Sequence, residues 1–208
     1  MKPDHFRVCI LAVLVLVFAG GIATAQDRAD ALVEYRQGRY ANAVEITLQE
    51  IAEDPANLDA YTVLGWSLLA LGRYEDALEY GLAGLRVSRF DHRIVHIVGE
   101  ANYRLENELE ALEYFQDYAA LAPTGNQISE VYYLMGEILL SLEEYHHADI
   151  AFTTAVFLSD DRPQWWARLG YAREMAGSGE YAATAYREAL SRNPNLLEAQ
   201  RGLERVQG

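Results

Sequence analysis

Between residues 58 and 91 the apolar positions follow two helical stripes with a break between them. Tyr61, Leu64, Gly65 and Leu68 stand at i, i+3, i+4 and i+7, one face of a helix. Gly72 interrupts, and Tyr74, Ala77, Leu78 and Leu85 mark a second stripe. A glycine there suits the residue just past a helix end, where positive φ is needed. Strand-like alternation of apolar and polar residues is missing over any useful length. The expected elements are therefore helices, in pairs.

The pair repeats along the chain. Gly38-Arg39-Tyr40 followed by Ala43 returns as Gly72-Arg73-Tyr74 followed by Ala77. Leu64-Gly65 returns as Val98-Gly99, Met135-Gly136 and Leu169-Gly170. Alanine recurs at Ala43, Ala77, Ala111, Ala148 and Ala182. Pro55, Pro123 and Pro194 fall at equivalent unit ends, where a proline stops the second helix; Arg89 and Asp160 take that place in the other two units. In period and in these positions the chain resembles the tetratricopeptide repeat (TPR) family, whose helix–turn–helix unit has about 34 residues. The second unit carries the pattern as Tyr61, Leu64, Gly65, Leu68, Gly72, Tyr74, Ala77 and Leu85. The fifth carries it as Trp166, Leu169, Gly170, Ala182, Tyr186, Ala189 and Pro194. The resemblance implies an all-α, right-handed superhelical solenoid forming one domain over 26–208. Its five units are 24–57, 58–91, 92–128, 129–162 and 163–196, with a capping helix at 197–207.

Three departures bear on this array. Asp30-Ala31 stands where the first unit should have its apolar pair, as at an exposed array end. Three extra residues near Pro123-Thr124-Gly125-Asn126-Gln127 should change the superhelical turn. Gly81 and Gly84 occupy the second helix of unit two, each destabilising it by about 1 kcal/mol. Either a large neighbour fills the space or this unit is locally soft.

Residues 1–25 follow another pattern. Lys2 and Arg7 precede an uncharged apolar run from Val8 to Ala19, followed by Gly20, Gly21 and the small triplet Ala23-Thr24-Ala25. This is the three-part design of a secretory signal, with cleavage expected after Ala25. An uncleaved anchor is the rival, because the uncharged stretch to Ala25 approaches the length that spans a bilayer. Cys9, the single cysteine, lies inside the run and not behind it, so a lipoprotein signal is not indicated. The expected location is the periplasm, with the extracellular space or anchoring by an uncleaved N-terminal helix as the alternatives.

Composition narrows the function. The chain of 208 residues is 51% hydrophobic and 23% charged, enough to bury a sizeable core. A net charge of −14 argues against nucleic acid and against anionic lipid as partners. Lys2 is the only lysine, so every basic residue of the repeat region is arginine, which forms planar bidentate contacts.

Candidate chemistry is sparse. His92, His96 and Glu100 share one helical face at the spacing of metal ligands, but no fourth ligand is indicated. His146 and His147 are adjacent and point apart. Gly177-Ser178-Gly179 lacks the lysine and the preceding strand of a phosphate loop. No catalytic residue, metal or cofactor is expected.

The resemblance implies a concave groove lined by first-helix positions. The first unit supplies Arg28, Tyr35 and Arg36, the second Trp66, the third Arg93, His96, Tyr103 and Arg104. The fourth supplies Tyr133 and Glu137, and the fifth Tyr171. Aromatic rings beside arginines are the composition of binding hot spots. The second helices are strongly acidic, so charge gathers away from this stripe. The expected function is a non-catalytic adaptor that binds a peptide or a protein surface, which for exported arrays implies cell-envelope assembly or transport. The alternatives are a small-ligand carrier serving a transporter, with its pocket around Gly81, Gly84 and Trp66, and a self-assembling array of identical chains.

Overall fold

The computed structural model describes residues 30–208. The segment 1–25 expected to be a secretory signal, and Arg28, lie outside these residues. Eleven helices run along the described chain, with no strand among them: α1 (Ala31–Arg36), α2 (Tyr40–Glu53), α3 (Leu58–Ala70), α4 (Tyr74–Val87), α5 (His92–Arg104), α6 (Glu108–Leu121), α7 (Ile128–Ser141), α8 (Tyr145–Leu158), α9 (Pro163–Met175), α10 (Gly179–Arg192) and α11 (Leu197–Gln207). Odd-numbered helices open each unit and even-numbered ones close it. Successive helices pack against each other, α3 also touches both α1 and α5, and α9 touches α11, so opening helices lie side by side at both ends of the array.

Local signals place the boundaries. Asp30, Asn57 and Asp91 cap α1, α3 and α5 by accepting the N–H of Leu32, Ala60 and Arg93 at 2.8, 3.1 and 3.0 Å. Pro163 starts α9 at a position where its missing N–H would have no helical partner. Between the two helices of a unit the chain turns through one residue of positive φ. This is Gly38 (74°), Gly72 (72°) and Gly177 (76°) in three units, but Glu106 (61°) and Glu143 (60°) in the other two.

One rule explains most of the packing inside a unit. The opening helix has a glycine against which a large ring of the closing helix is pressed. A Cβ on Gly99 would stand 2.9 Å from Phe115, on Gly136 2.6 Å from Phe152, and on Gly170 2.6 Å from Tyr186. All three rings are fully buried. Unit two breaks the rule. Its glycine is Gly65, but the ring position in the closing helix is held by Gly81. The next unit fills the space: Ile97 would meet a Cβ on Gly65 at 2.7 Å, and Val98 one on Gly81 at 2.7 Å. Ile94 and Tyr61 crowd Gly84 in the same way. The two helix glycines thus exist for close approach between units two and three, and the pocket expected around them is occupied by side chains. Ala43, Ala77, Ala111, Ala148 and Ala182 have no exposed surface, the condition for two helices to cross at short distance.

The ends and the insertion follow the same logic. Helix α11 seats Gly202 directly on the Tyr186 ring, and the Tyr186 hydroxyl donates to Glu174 at 2.6 Å. Helix α11 therefore covers the apolar side of the fifth unit, with its own Ala199 and Gly202 buried in the contact. At the insertion, Gly125 is pressed on the Tyr118 hydroxyl, which accepts the Gln127 N–H at 3.4 Å. The contact between α6 and α7 is the thinnest of the unit junctions. Beyond it α7 and α9 are bridged by bulky side chains instead of by close backbones. Tyr133 stacks on Trp165 at 4.9 Å and 11°, and Arg162 lies 4.4 Å from the centre of the same indole.

Candidate partner-binding groove

Arginines tie the opening-helix face together across unit boundaries. Arg93 donates to Asp59 at 2.7 Å, Arg162 to Glu130 at 2.7 Å, Arg168 to Glu137 at 2.6 and 2.7 Å, and Arg205 to Glu174 at 2.6 and 2.8 Å. Each carboxylate belongs to one opening helix and each guanidinium to the next odd-numbered helix or, for Arg162, to the residue that caps it. The two bidentate pairs have the fork geometry that only arginine supplies. Glu100 is the exception. The inserted residues offset the following unit, and Glu100 reaches only Arg104 of its own helix, at 3.3 Å.

The expected stripe separates into two parts. In the C-terminal part the side chains are engaged. Tyr133 packs between Trp165 and Phe152, and burial, with the Glu137 carboxylate beside it, pushes its phenol well above the ordinary value. Glu137 is held by Arg168, whose guanidinium also lies 5.5 Å from the Tyr171 ring. Tyr103 is half-buried under Arg104, 6.0 Å away. In the N-terminal part the groove is open. Tyr35 and Trp66 face each other at 5.7 Å, and Trp66 borders three adjoining hollows. One, of about 470 Å³, is bounded by Tyr35, Leu69, His96, Glu100, Arg104 and Gln127. A second is bounded by His92, Arg93, His96, Tyr118, Asn126 and Gln127. Arg36 is exposed on α1, and Arg93 is held between Asp91 and Asp59.

His96 differs from the expectation of an open groove wall. It is 5% exposed, with its ring against Tyr118 at 5.3 Å and Phe115 at 6.4 Å. Burial pushes its pKa below the ordinary value, against a smaller opposing pull from Glu100. Thr62 and Ala167, at the same register in units two and five, are buried as well, because this helix position points at the neighbouring unit. His96, His92 and Glu100 do not gather as ligands: among the described residues no group of three or more His, Cys, Asp or Glu could hold a metal ion. Asn126 and Gln127 were not expected here. The insertion signalled a change of turn, but not that its end would border the groove.

Sequence models of the tetratricopeptide repeat match residues 28–92 and 129–161. The chain is a tetratricopeptide repeat protein. Solved TPR arrays share its fold. MamA is 21% identical with a TM-score of 0.69, covering 79% of this chain and 88% of its own. YrrB, described as a TPR protein with an unusual peptide-binding site, is 17% identical with a TM-score of 0.72, covering 84% and 88%. The Cut9–Hcn1 assembly of the APC/C contains a chain 19% identical with a TM-score of 0.69, covering 86% of this chain and 35% of that one. Among curated proteins, the BBSome complex member BBS4 homolog of Drosophila melanogaster is 30% identical over 126 residues, 56% of this chain. The present chain spans about a quarter of that relative's length (26%). A TPR array of this kind is a protein-interaction scaffold, since stacked helix pairs leave an extended surface.

Proposed function

We propose that the protein is a non-catalytic adaptor that holds an extended segment of a partner protein in the groove around Trp66. The observation that carries this reading is the convergence of three hollows on one indole. Beside it stand Tyr35, Glu100, Arg104 and the amides of Asn126 and Gln127, which are not all pinned by the inter-unit pairs. An indole and a tyrosine offer a large contact area with little entropy to lose, and the polar rim can read backbone amides. The peptide-binding site named for YrrB supports this use of the fold. The N-terminal pattern of residues 1–25 supports export, with a place in cell-envelope assembly or transport.

Site-specific photocrosslinking tests the site. A crosslinker at the exposed Ala70, on the groove rim, should capture the partner in the native envelope, and Trp66→Ala should abolish the adduct. A crosslinker at Glu79, on the outer face, should not. Capture from Glu79 alone would remove the groove from consideration.

A further inference from the structure

The outer face of the array carries an apolar trough and an apolar ridge, and neither is covered by another of the described residues. The trough, of about 550 Å³, runs between α4 and α6 over Val95 of α5. Leu82, Leu85, Tyr114 and Leu121 give it an oily wall, and Phe90, 68% exposed, stands at its rim. The ridge is the outward side of α8. There Phe157 is 85% and Ile150 65% exposed, seven residues apart on one face, with Leu158 and Tyr181 flanking. Large exposed side chains gathered in this way are contact surfaces more often than accidents.

The charges around the two features match. Most arginines of the described residues sit in ion pairs. Arg86 on α4 and Arg89 just past its end, both lining the trough, have no carboxylate partner among the described residues. The opposite wall holds Glu113 and Asp117. An occupant must therefore bring carboxylates to one side only. The α8 ridge does so. Its one acidic residue, Asp149, is taken by Arg173 at 2.8 Å. Just past its C-terminus Asp160 and Asp161 are exposed; Asp160 lies 3.4 Å from Arg192, whereas the Asp161 carboxylate accepts from Ser159 alone and is open to an outside cation.

We propose that the α8 ridge of one copy docks in the α4–α6 trough of a second copy, Phe157 entering between Leu82 and Leu121, with Asp161 facing Arg86 and Arg89. Two copies of charge −14 repel at a distance, so contact depends on an apolar centre with opposite charges at its edge. Because ridge and trough are different surfaces, the contact is heterologous, and either surface can be removed separately.

Sedimentation of the full chain over a dilution series at physiological salt tests this. The wild type should associate reversibly. Phe157→Asp and Leu82→Asp should each weaken association at least about tenfold, as loss of a central anchor does. Both should keep their helical circular dichroism, and Phe157, being the more exposed, is the safer variant. Mixing the two single variants should restore a heterodimer, since one retains the trough and the other the ridge. A wild type that is monomeric at every concentration would overturn the proposal. So would unchanged association of Phe157→Asp, or a mixture in which neither variant recovers a partner.

Discussion

At single residues, two positions show strain or burial that the repeat pattern does not dictate. Glu106 and Glu143 hold the left-handed turn that glycine holds in three other units. A side chain in that conformation raises the energy by roughly 1–2 kcal/mol. Glu143→Gly should therefore stabilise the protein by about 1 kcal/mol once the extra freedom of glycine in the unfolded chain is subtracted. Gly72→Ala should destabilise it by a similar amount; urea denaturation of both variants reads the difference. His96 concerns pH. In the folded chain its pKa lies below the ordinary 6.5, so the unfolded chain binds the proton more readily. The stability is complete above the unfolded value and is lost as pH falls below it toward the folded value. Denaturation midpoints should drop between pH 7 and 5 in the wild type, and the drop should shrink in His96→Phe. An equal drop in both would assign the effect to other groups.

Among helices, the decisive contacts are those between a glycine and a ring, and those between small residues at a crossing. Ala111 has no exposed surface in the crossing of α5 and α6, so Ala111→Leu should overpack and destabilise by about 1–3 kcal/mol. Glu110→Ala, at an exposed position one residue away, should change little. Equal melting temperatures for Ala111→Leu and the wild type would show that the crossing is looser than described. The cap has its own test. Tyr186→Phe removes the hydroxyl that Glu174 accepts, while Glu174 keeps Arg205. The expected loss is about 0.5–1.5 kcal/mol, and it should appear as faster hydrogen exchange in α11. Tyr133→Ala, in contrast to its expected role as a binding anchor, should mainly lower stability, by about 3–5 kcal/mol for loss of a large packed ring.

For the whole molecule, the insertion at residues 123–127 divides the array. Solenoid stability is a sum of unit terms and nearest-neighbour interfaces, so the thinnest junction opens first. Native-state hydrogen exchange should resolve two blocks that meet between α6 and α7, the one containing α7 to α11 protected as a unit. The same junction leaves Glu100 without a cross-unit arginine and brings Gln127 to the groove. The polar border of the groove and the thin junction thus arise from one feature. Trp66→Ala should reduce affinity for the partner segment by about 2 kcal/mol or more while leaving the helices intact, as measured by calorimetry with the crosslinked segment.

The fold was legible in the sequence because each unit states it again. Helical spacing, the turn glycines and the recurring alanines are local or nearest-neighbour signals, and repetition turned weak signals into a register. The five alanines lie where that register puts them, with no exposed surface. The groove was legible only in part. Sequence position told which helix face a residue occupies, but not what faces it from the next unit. Arg93, Tyr133 and Glu137 read as free binding groups, yet Asp59, Trp165 and Arg168 engage them. Gly81 and Gly84 read as a gap, yet Ile94, Ile97 and Val98 of the following unit fill it. Pairing between residues some 31 to 34 positions apart depends on how far each unit is rotated and offset from the last. That offset is set by side-chain volumes on both sides of every junction at once, and it exists only in the assembled array.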